Sequence, residues 1–418
     1  MTSRRDVVKG LAGVLPAVLL PNRIRLTRQS QARRVVVVGA GAFGGWTALE
    51  LARRGARVTL VDAWGAGNTR ASSGGETRVI RATYNGERVY IEMVRRALDR
   101  WREEQKTWGR SVLRETGALW LFETDDDSYA RRSVAPMRAE RLTLEEMAPV
   151  EAARRYPQIR LDGVRHIWFE REAGYLLARE ACELVREACV RAGAEYLTSH
   201  IRPGTIRSGR MSDVMLSDGT RRAADQFVFA CGPWMGSTFP DVIGSRIRAT
   251  KQDVLYFGTP AGDRDFDAGA LPVWVNFGAT LLYGIPGNER RGFKIADDTL
   301  GAVVDPTTME RTLSPESVRT ARALLQKRFP KLATAPLVHS EVCQYERSAD
   351  GHFLVDWHPE AGNVLLLGGG SGHGFKMGPA IGEVATRVVL DNGVVAPLFR
   401  FARARERSLG TTDWVAAG

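Results

Sequence analysis

Arg33-Arg34-Val35-Val36-Val37-Val38, Gly39-Ala40-Gly41-Ala42-Phe43-Gly44, Trp46-Thr47-Ala48-Leu49-Glu50-Leu51-Ala52-Arg53-Arg54 and Arg57-Val58-Thr59-Leu60-Val61-Asp62 decide the fold. The β-branched run reads as a buried strand. The stretch from Trp46 reads as a helix that ends near Gly55. The last run reads as a second strand with an acidic residue at its tip. Together they make a βαβ unit. Gly39, Gly41 and Gly44 permit a tight turn and let a pyrophosphate approach a helix N-terminus, while Asp62 can accept hydrogen bonds from a ribose diol. A GxGxxG alone is weak; between a strand and a helix, with an acid following, it is strong. The motif fits NAD and FAD equally. The structural alternative is a Gly-rich turn that binds nothing.

The chain has 418 residues, enough for two domains, and its 44% hydrophobic and 26% charged content is that of a soluble globular protein. Residues 1–34 hold eight Lys or Arg and a single acid, Asp6, against a net charge of +11 for the whole chain. Most of the excess charge therefore sits in a leader, and the body shows no aromatic-interleaved basic stretch, so a nucleic-acid partner is not expected. In the leader, Arg4-Arg5 precedes an apolar run from Gly10 to Leu20. Paired arginines before a short apolar segment resemble a twin-arginine signal. On that reading the protein meets the twin-arginine export machinery and is periplasmic or exported; read instead as a plain basic extension, the leader leaves it cytoplasmic. The run is too short for a stable membrane span. Cys182, Cys189, Cys231 and Cys343 have no CxxC or framework spacing, and the six histidines no paired-ligand spacing, so neither a metal site nor a disulfide scaffold is expected.

Further along, residues 64–81 read as an irregular polar connection and Tyr90–Trp108 as a helix. Strands follow at 117–122 and 166–169, with a charged, helix-prone insertion between them. Leu176–Ala192 reads as a helix, 194–197 as a strand, and 226–230 as a buried strand behind a hairpin turned at Ser217-Asp218-Gly219. Runs at 254–257, 273–277, 280–285 and 293–295 come without intervening helices, which predicts an antiparallel sheet in a second, inserted domain. A helix over Pro315–Arg328 comes next. Val364–Gly368 is another buried strand, running into Gly369-Gly370-Ser371-Gly372-His373-Gly374 and a helix from about Pro379.

These pieces resemble the flavin amine oxidases of the monomeric sarcosine oxidase and N-methyltryptophan oxidase type, within the D-amino-acid-oxidase-like superfamily. The likeness runs from Arg33 to about Leu390. It rests on the fingerprint ending at Asp62; on Gly75-Glu76-Thr77-Arg78-Val79-Ile80-Arg81; on Val342-Cys343-Gln344-Tyr345 with Asp350–Asp356 and His358-Pro359; and on Ser371–Lys376. The resemblance implies a Rossmann-like FAD-binding domain (33–113, 172–242 and 347–400) with an inserted antiparallel-sheet substrate domain (114–171 and 243–346), a leader over 1–32 and a tail over 401–418. It implies FAD rather than NAD, attached covalently through Cys343, which by spacing alone reads as a buried apolar thiol. Arg81 and Lys376 match a pair that binds a substrate carboxylate, a task suited to an arginine fork and an ammonium. Lys294 matches an oxygen-activating lysine, Tyr283 and Tyr345 match tyrosines lining the substrate cavity, Thr77 and Arg78 lie beside the flavin, and Gly372 and Gly374 belong to its glycine-rich turn.

Two departures loosen the substrate. Asp298 stands where sarcosine oxidases carry a histidine, and Ser73-Gly74 where they carry two histidines. The resemblance thus implies a monomeric oxidase of an amino-acid-like amine, passing a hydride equivalent to FAD and electrons to dioxygen, with Asp298 facing the amine or a distal polar group. The competing readings are a dehydrogenase that passes electrons to a quinone or carrier, and a flavin-binding assembly protein without turnover.

Overall fold

Four valines in succession, Val35–Val38, sit between two parallel neighbours, so both faces of their strand must be apolar. The computed structural model describes residues 32–403 apart from 245 and 300, so the leader, its twin-arginine reading and most of the tail lie outside the described residues. A six-stranded sheet runs in the order Leu354–His358, Ala361–Gly368, Gln226–Phe229, Arg34–Val38, Arg57–Asp62, Glu195–Thr198. All its pairings are parallel except the first, where Leu354–His358 doubles back on Ala361–Gly368.

The helix after the first strand spans Ala42–Arg53, so it begins inside the fingerprint, four residues earlier than the sequence pattern indicates. Gly39 adopts φ +100°, and a Cβ there would lie 2.2 Å from the Ala230 carbonyl oxygen. A Cβ on Gly44 would lie 1.9 Å from the Gly39 carbonyl oxygen, so the helix can press on the turn only because this residue has no side chain. Trp46, on the same helix, packs edge-on against Trp101 of the helix Arg88–Trp108, with ring centroids 4.9 Å apart.

The second large sheet has eight strands, ordered Leu337–Ser348, Ile247–Phe257, Phe293–Asp297, Leu281–Ile285, Val273–Phe277, Ala118–Phe122, His166–Glu170, Leu144–Glu146. The expected antiparallel sheet is in fact mixed: Val273–Phe277 runs parallel to Ala118–Phe122. These strands belong to two stretches of chain separated by two strands of the six-stranded sheet, Glu195–Thr198 and Gln226–Phe229, so no hairpin forces them antiparallel. Two other expectations change. The irregular connection 64–81 ends in a strand, Thr77–Ile80, paired with Gly174–Leu177, and the helix expected from Leu176 starts only at Ala178. The helix Pro315–Arg328 is as expected, with the Ser314 hydroxyl accepting from the Glu316 N–H at its start. Among the described residues no helix is long and apolar enough to cross a membrane.

Gly44→Ala is expected to destabilise the protein by roughly 1–3 kcal/mol, the cost of overpacking against backbone that cannot move aside. Thermal unfolding measures it, and an unchanged midpoint would contradict the contact.

Candidate active site

The parallel strands end together, and a cavity of about 420 Å³ opens at their C-terminal ends, lined by Gly39, Gly41, Asp62, Arg78, Gly372 and Gly374 among others. Asp62 is held firmly: one carboxylate oxygen accepts from the Ala40 N–H at 2.7 Å, the other from the Trp64 and Gly65 N–H groups at 3.0 and 2.9 Å. The Ser73 hydroxyl accepts from the Ala42 N–H at 3.1 Å at the start of the helix. Gly44 stands behind this wall in a packing role and does not line it.

A smaller cavity of about 60 Å³ adjoins the first, and Arg78, Tyr345, Gly372 and Phe375 line both. Arg81, Tyr283, Asp298 and Lys376 also line the small cavity. Four segments far apart in sequence thus meet there. Cys343 and Tyr345 lie two apart on the strand Leu337–Ser348 and so share one face of it. The Tyr345 hydroxyl donates to Asp298 Oδ1 at 3.0 Å. Gly372, at φ +81°, leaves room for the Tyr345 ring: a Cβ there would sit 2.5 Å from it.

Arg78 joins these pieces. Its guanidinium donates to the carbonyls of Thr77 (2.7 Å) and Ser72 (2.6 Å) and to Cys343 Sγ (3.2 Å). Lys294 Nζ donates to the same Thr77 carbonyl at 2.8 Å and lies 5.7 Å from the Tyr283 ring centroid. Thr77, Lys294 and Cys343 line neither cavity; they stand directly behind Arg78 and Tyr283. Arg81 donates to the Thr83 carbonyl and Lys376 to the His373 carbonyl. No ion pair joins any of these four cations to a carboxylate among the described residues; backbone carbonyls take most of their hydrogen bonds, with Cys343 Sγ adding a contact to Arg78 and the Tyr129 hydroxyl one to Arg81. Burial, and then the Arg81 charge, hold the Lys376 ammonium well below its usual range. Burial raises Asp298, against the pull of Arg347 and Tyr345.

Sequence reading missed several residues here. Glu170 accepts from the N–H groups of Ala82 and Thr83 and from the Thr83 hydroxyl, fixing the chain just beyond Arg81. Trp120 lines the small cavity from a strand that reads as plain core. Glu346 lines the large cavity; burial pushes its carboxyl up to about 8, and its Oε1 is buried without a hydrogen-bond partner. None of these carries a motif, because each acts through neighbours distant in the chain.

The residues fit FAD. The glycine cradle and Asp62 suit the adenosine and pyrophosphate. The orphaned Glu346 oxygen suits a polyol hydroxyl. Arg78 stands where the large cavity meets the small one, with Cys343 Sγ 3.2 Å from its guanidinium.

The family model described as FAD dependent oxidoreductase matches residues 34–388. A monomeric sarcosine oxidase of Bacillus sp. (strain B-0618) is 29% identical over 361 residues, covering 85% of this chain and 92% of that protein. An N-methyl-L-tryptophan oxidase of Yersinia pestis (strain Pestoides F) is 24% identical, covering 89% and 99% respectively. Among solved structures, an L-proline dehydrogenase from P. horikoshii superposes with a TM-score of 0.77 at 20% identity over 88% of this chain and 96% of that one, a likeness of fold.

Burial first, and the Arg78 charge second, lower the Lys294 ammonium from 10.5 to about 7. Below about 7 both folded and unfolded states hold the proton, and folding bears the whole cost of burying the charge. Between about 7 and 10.5 the unfolded state binds more protons than the folded one, so stability rises with pH. Lys294→Met is therefore expected to exceed the parent in stability most at low pH, with the gap closing across that window. Urea unfolding as a function of pH reads it, and a gap that stays constant contradicts the burial argument.

Proposed function

The chain belongs to the family of FAD-dependent oxidoreductases, and from that premise we propose that it oxidises a small amine bearing a carboxylate, of the N-methyl, cyclic or related amino-acid kind. One observation carries the proposal: a 60 Å³ cavity beside the cofactor cavity is walled by Arg78, Arg81 and Lys376, with Asp298 its lone carboxylate. A cationic wall of that kind recognises an anion, and its size admits a small one. FAD, when bound, supplies the hydride acceptor for the amine's α C–H and the electron donor to dioxygen, so that the products are an imine and hydrogen peroxide.

The chain's own residues divide the work. Arg81 and Lys376 bind and orient the substrate carboxylate. Tyr283 and Tyr345 close the cavity walls and exclude water. Asp298, oriented by the Tyr345 hydroxyl, accepts a hydrogen bond from the amine or from a polar group farther along the substrate. Lys294 places a positive charge where oxygen gains electrons. Cys343, held beside Arg78, is the point of covalent attachment for FAD. Segments 33–113, 172–242 and 347–400 hold the cofactor, and 114–171 and 243–346 cover the substrate. The protein works as a monomer on a small substrate and dioxygen, and its leader directs export through the twin-arginine machinery.

The test is anaerobic bleaching of the flavin by a panel that includes sarcosine, pipecolate, proline and N-methyl aromatic amino acids. At least one carboxylate-bearing amine should bleach it, Arg81→Met should raise the concentration required, and Asp298→Ala should change the preference among panel members. No bleaching by any member would sink the proposal. In air, one peroxide per amine oxidised is expected; substrate loss without peroxide would favour the dehydrogenase. Lys294→Met should slow reoxidation by dioxygen roughly a hundred- to a thousand-fold. Acid precipitation should carry the yellow colour down with the protein, and Cys343→Ala should release it to the supernatant.

A further inference from the structure

Arg81 and Lys376 are 9% and 3% exposed, and each charge raises the cost of the other. An acidic side chain between them would remove that cost, but it would also neutralise the pair and repel an incoming carboxylate. What the structure sets against both cations instead is Tyr84. Its ring centroid lies 4.4 Å from the Arg81 guanidinium carbon and 5.4 Å from Lys376 Nζ. Tyr84 is fully buried and lines neither cavity.

The ring is fixed from several sides. It stacks on Tyr90, with centroids 5.1 Å apart and planes within 15°. Its hydroxyl lies 3.1 Å from His373 Nδ1. His373 Nε2 lies 3.0 Å from the Gly351 carbonyl oxygen, which can only accept, so Nε2 carries the hydrogen. Burial, and next the Lys376 charge, keep the imidazole neutral, which leaves Nδ1 as the acceptor and the Tyr84 phenol as the donor. A phenol that donates its hydrogen gains electron density in its ring, which favours a cation against it. Lys376 donates to the carbonyl of the same His373, so one residue fixes both the ring and the ammonium.

We propose that Tyr84 is a positioning residue whose π system holds the Arg81 guanidinium and the Lys376 ammonium together as one carboxylate clamp. An aromatic ring stabilises the two like charges without discharging them, so the clamp keeps its full attraction for an anion. This inference rests on the carboxylate-binding role given to the small cavity.

Acetate and acetamide, matched in size and differing in charge, are titrated against the holoenzyme by the change in flavin absorption. The parent should prefer acetate, and Arg81→Met should abolish the preference; a parent without preference overturns the carboxylate reading and this inference with it. Tyr84→Leu should weaken acetate roughly tenfold while acetamide moves less than about twofold. Tyr84→Phe should stay within about threefold of the parent. Phenylalanines carrying one, two and three fluorines at position 84 preserve the shape and withdraw electrons from the ring. They should lose acetate affinity stepwise, and this series decides the matter even where Tyr84→Leu fails to fold. A flat series, or equal losses for acetate and acetamide, would overturn the role of Tyr84 and leave the carboxylate reading intact.

Discussion

Positive charge satisfied chiefly by backbone carbonyls, with no carboxylate paired to it, is the constraint around which this molecule is built. Arg81, Lys294 and Lys376 are buried and Arg78 is half-buried, and the carbonyls of Ser72, Thr77, Thr83 and His373 take their hydrogen bonds. A carbonyl oxygen offers a partial charge, so each ammonium or guanidinium is solvated without being neutralised. The site therefore holds standing positive potential in a dry setting, the condition under which a charge acts most strongly on a ligand or on developing negative charge.

That arrangement demands rigid backbone, and a small three-stranded sheet supplies part of it. Thr77 is the common point: its carbonyl receives both Arg78 and Lys294, and its strand pairs with Gly174–Leu177. Lys294 and Tyr283 come from adjacent strands of the eight-stranded sheet, while Arg78 reaches from its own strand to Cys343 at the far edge of that sheet. The large cavity, in contrast, is shaped by the ends of the parallel strands. The glycine cradle and Lys376 follow strands of the parallel sheet, Arg78 and Arg81 come from the small sheet and the chain just beyond it, and the two cavities meet at Tyr345 and Gly372.

Legibility from sequence followed the range of the contacts. The βαβ unit was plain because its signals are local: a valine run, three glycines and an acid within 30 residues. Gly44 can be read as obligatory because the atom its Cβ would strike, the Gly39 carbonyl oxygen, lies in the same turn, whereas for Gly39 that atom is the carbonyl oxygen of distant Ala230. The eight-stranded sheet was half legible. Its consecutive strands follow one another without an intervening helix and pair antiparallel as expected, but the parallel join between Val273–Phe277 and Ala118–Phe122 pairs residues 155 apart in sequence, and nothing local announces it. Leu337–Ser348 was recognised for its cysteine and tyrosine and not as a strand, since its first residues are exposed and its inner half mixes charge with apolar side chains. Tyr84, Trp120, Glu170 and Glu346 were invisible, each looking like ordinary core or surface until its neighbours were in place.

By itself the sequence determined that a dinucleotide cofactor lies at the end of a parallel sheet, because the turn that admits a pyrophosphate is encoded in consecutive residues. The resemblance of its scattered motifs pointed to FAD and to an amine substrate. Only the tertiary structure decided what surrounds the substrate cavity. Whether a lysine is a solvated surface charge or a buried, carbonyl-bound one depends on which distant backbone it meets. For Arg81 and Lys376 that meeting takes place over one aromatic ring that no spacing rule would have set against both.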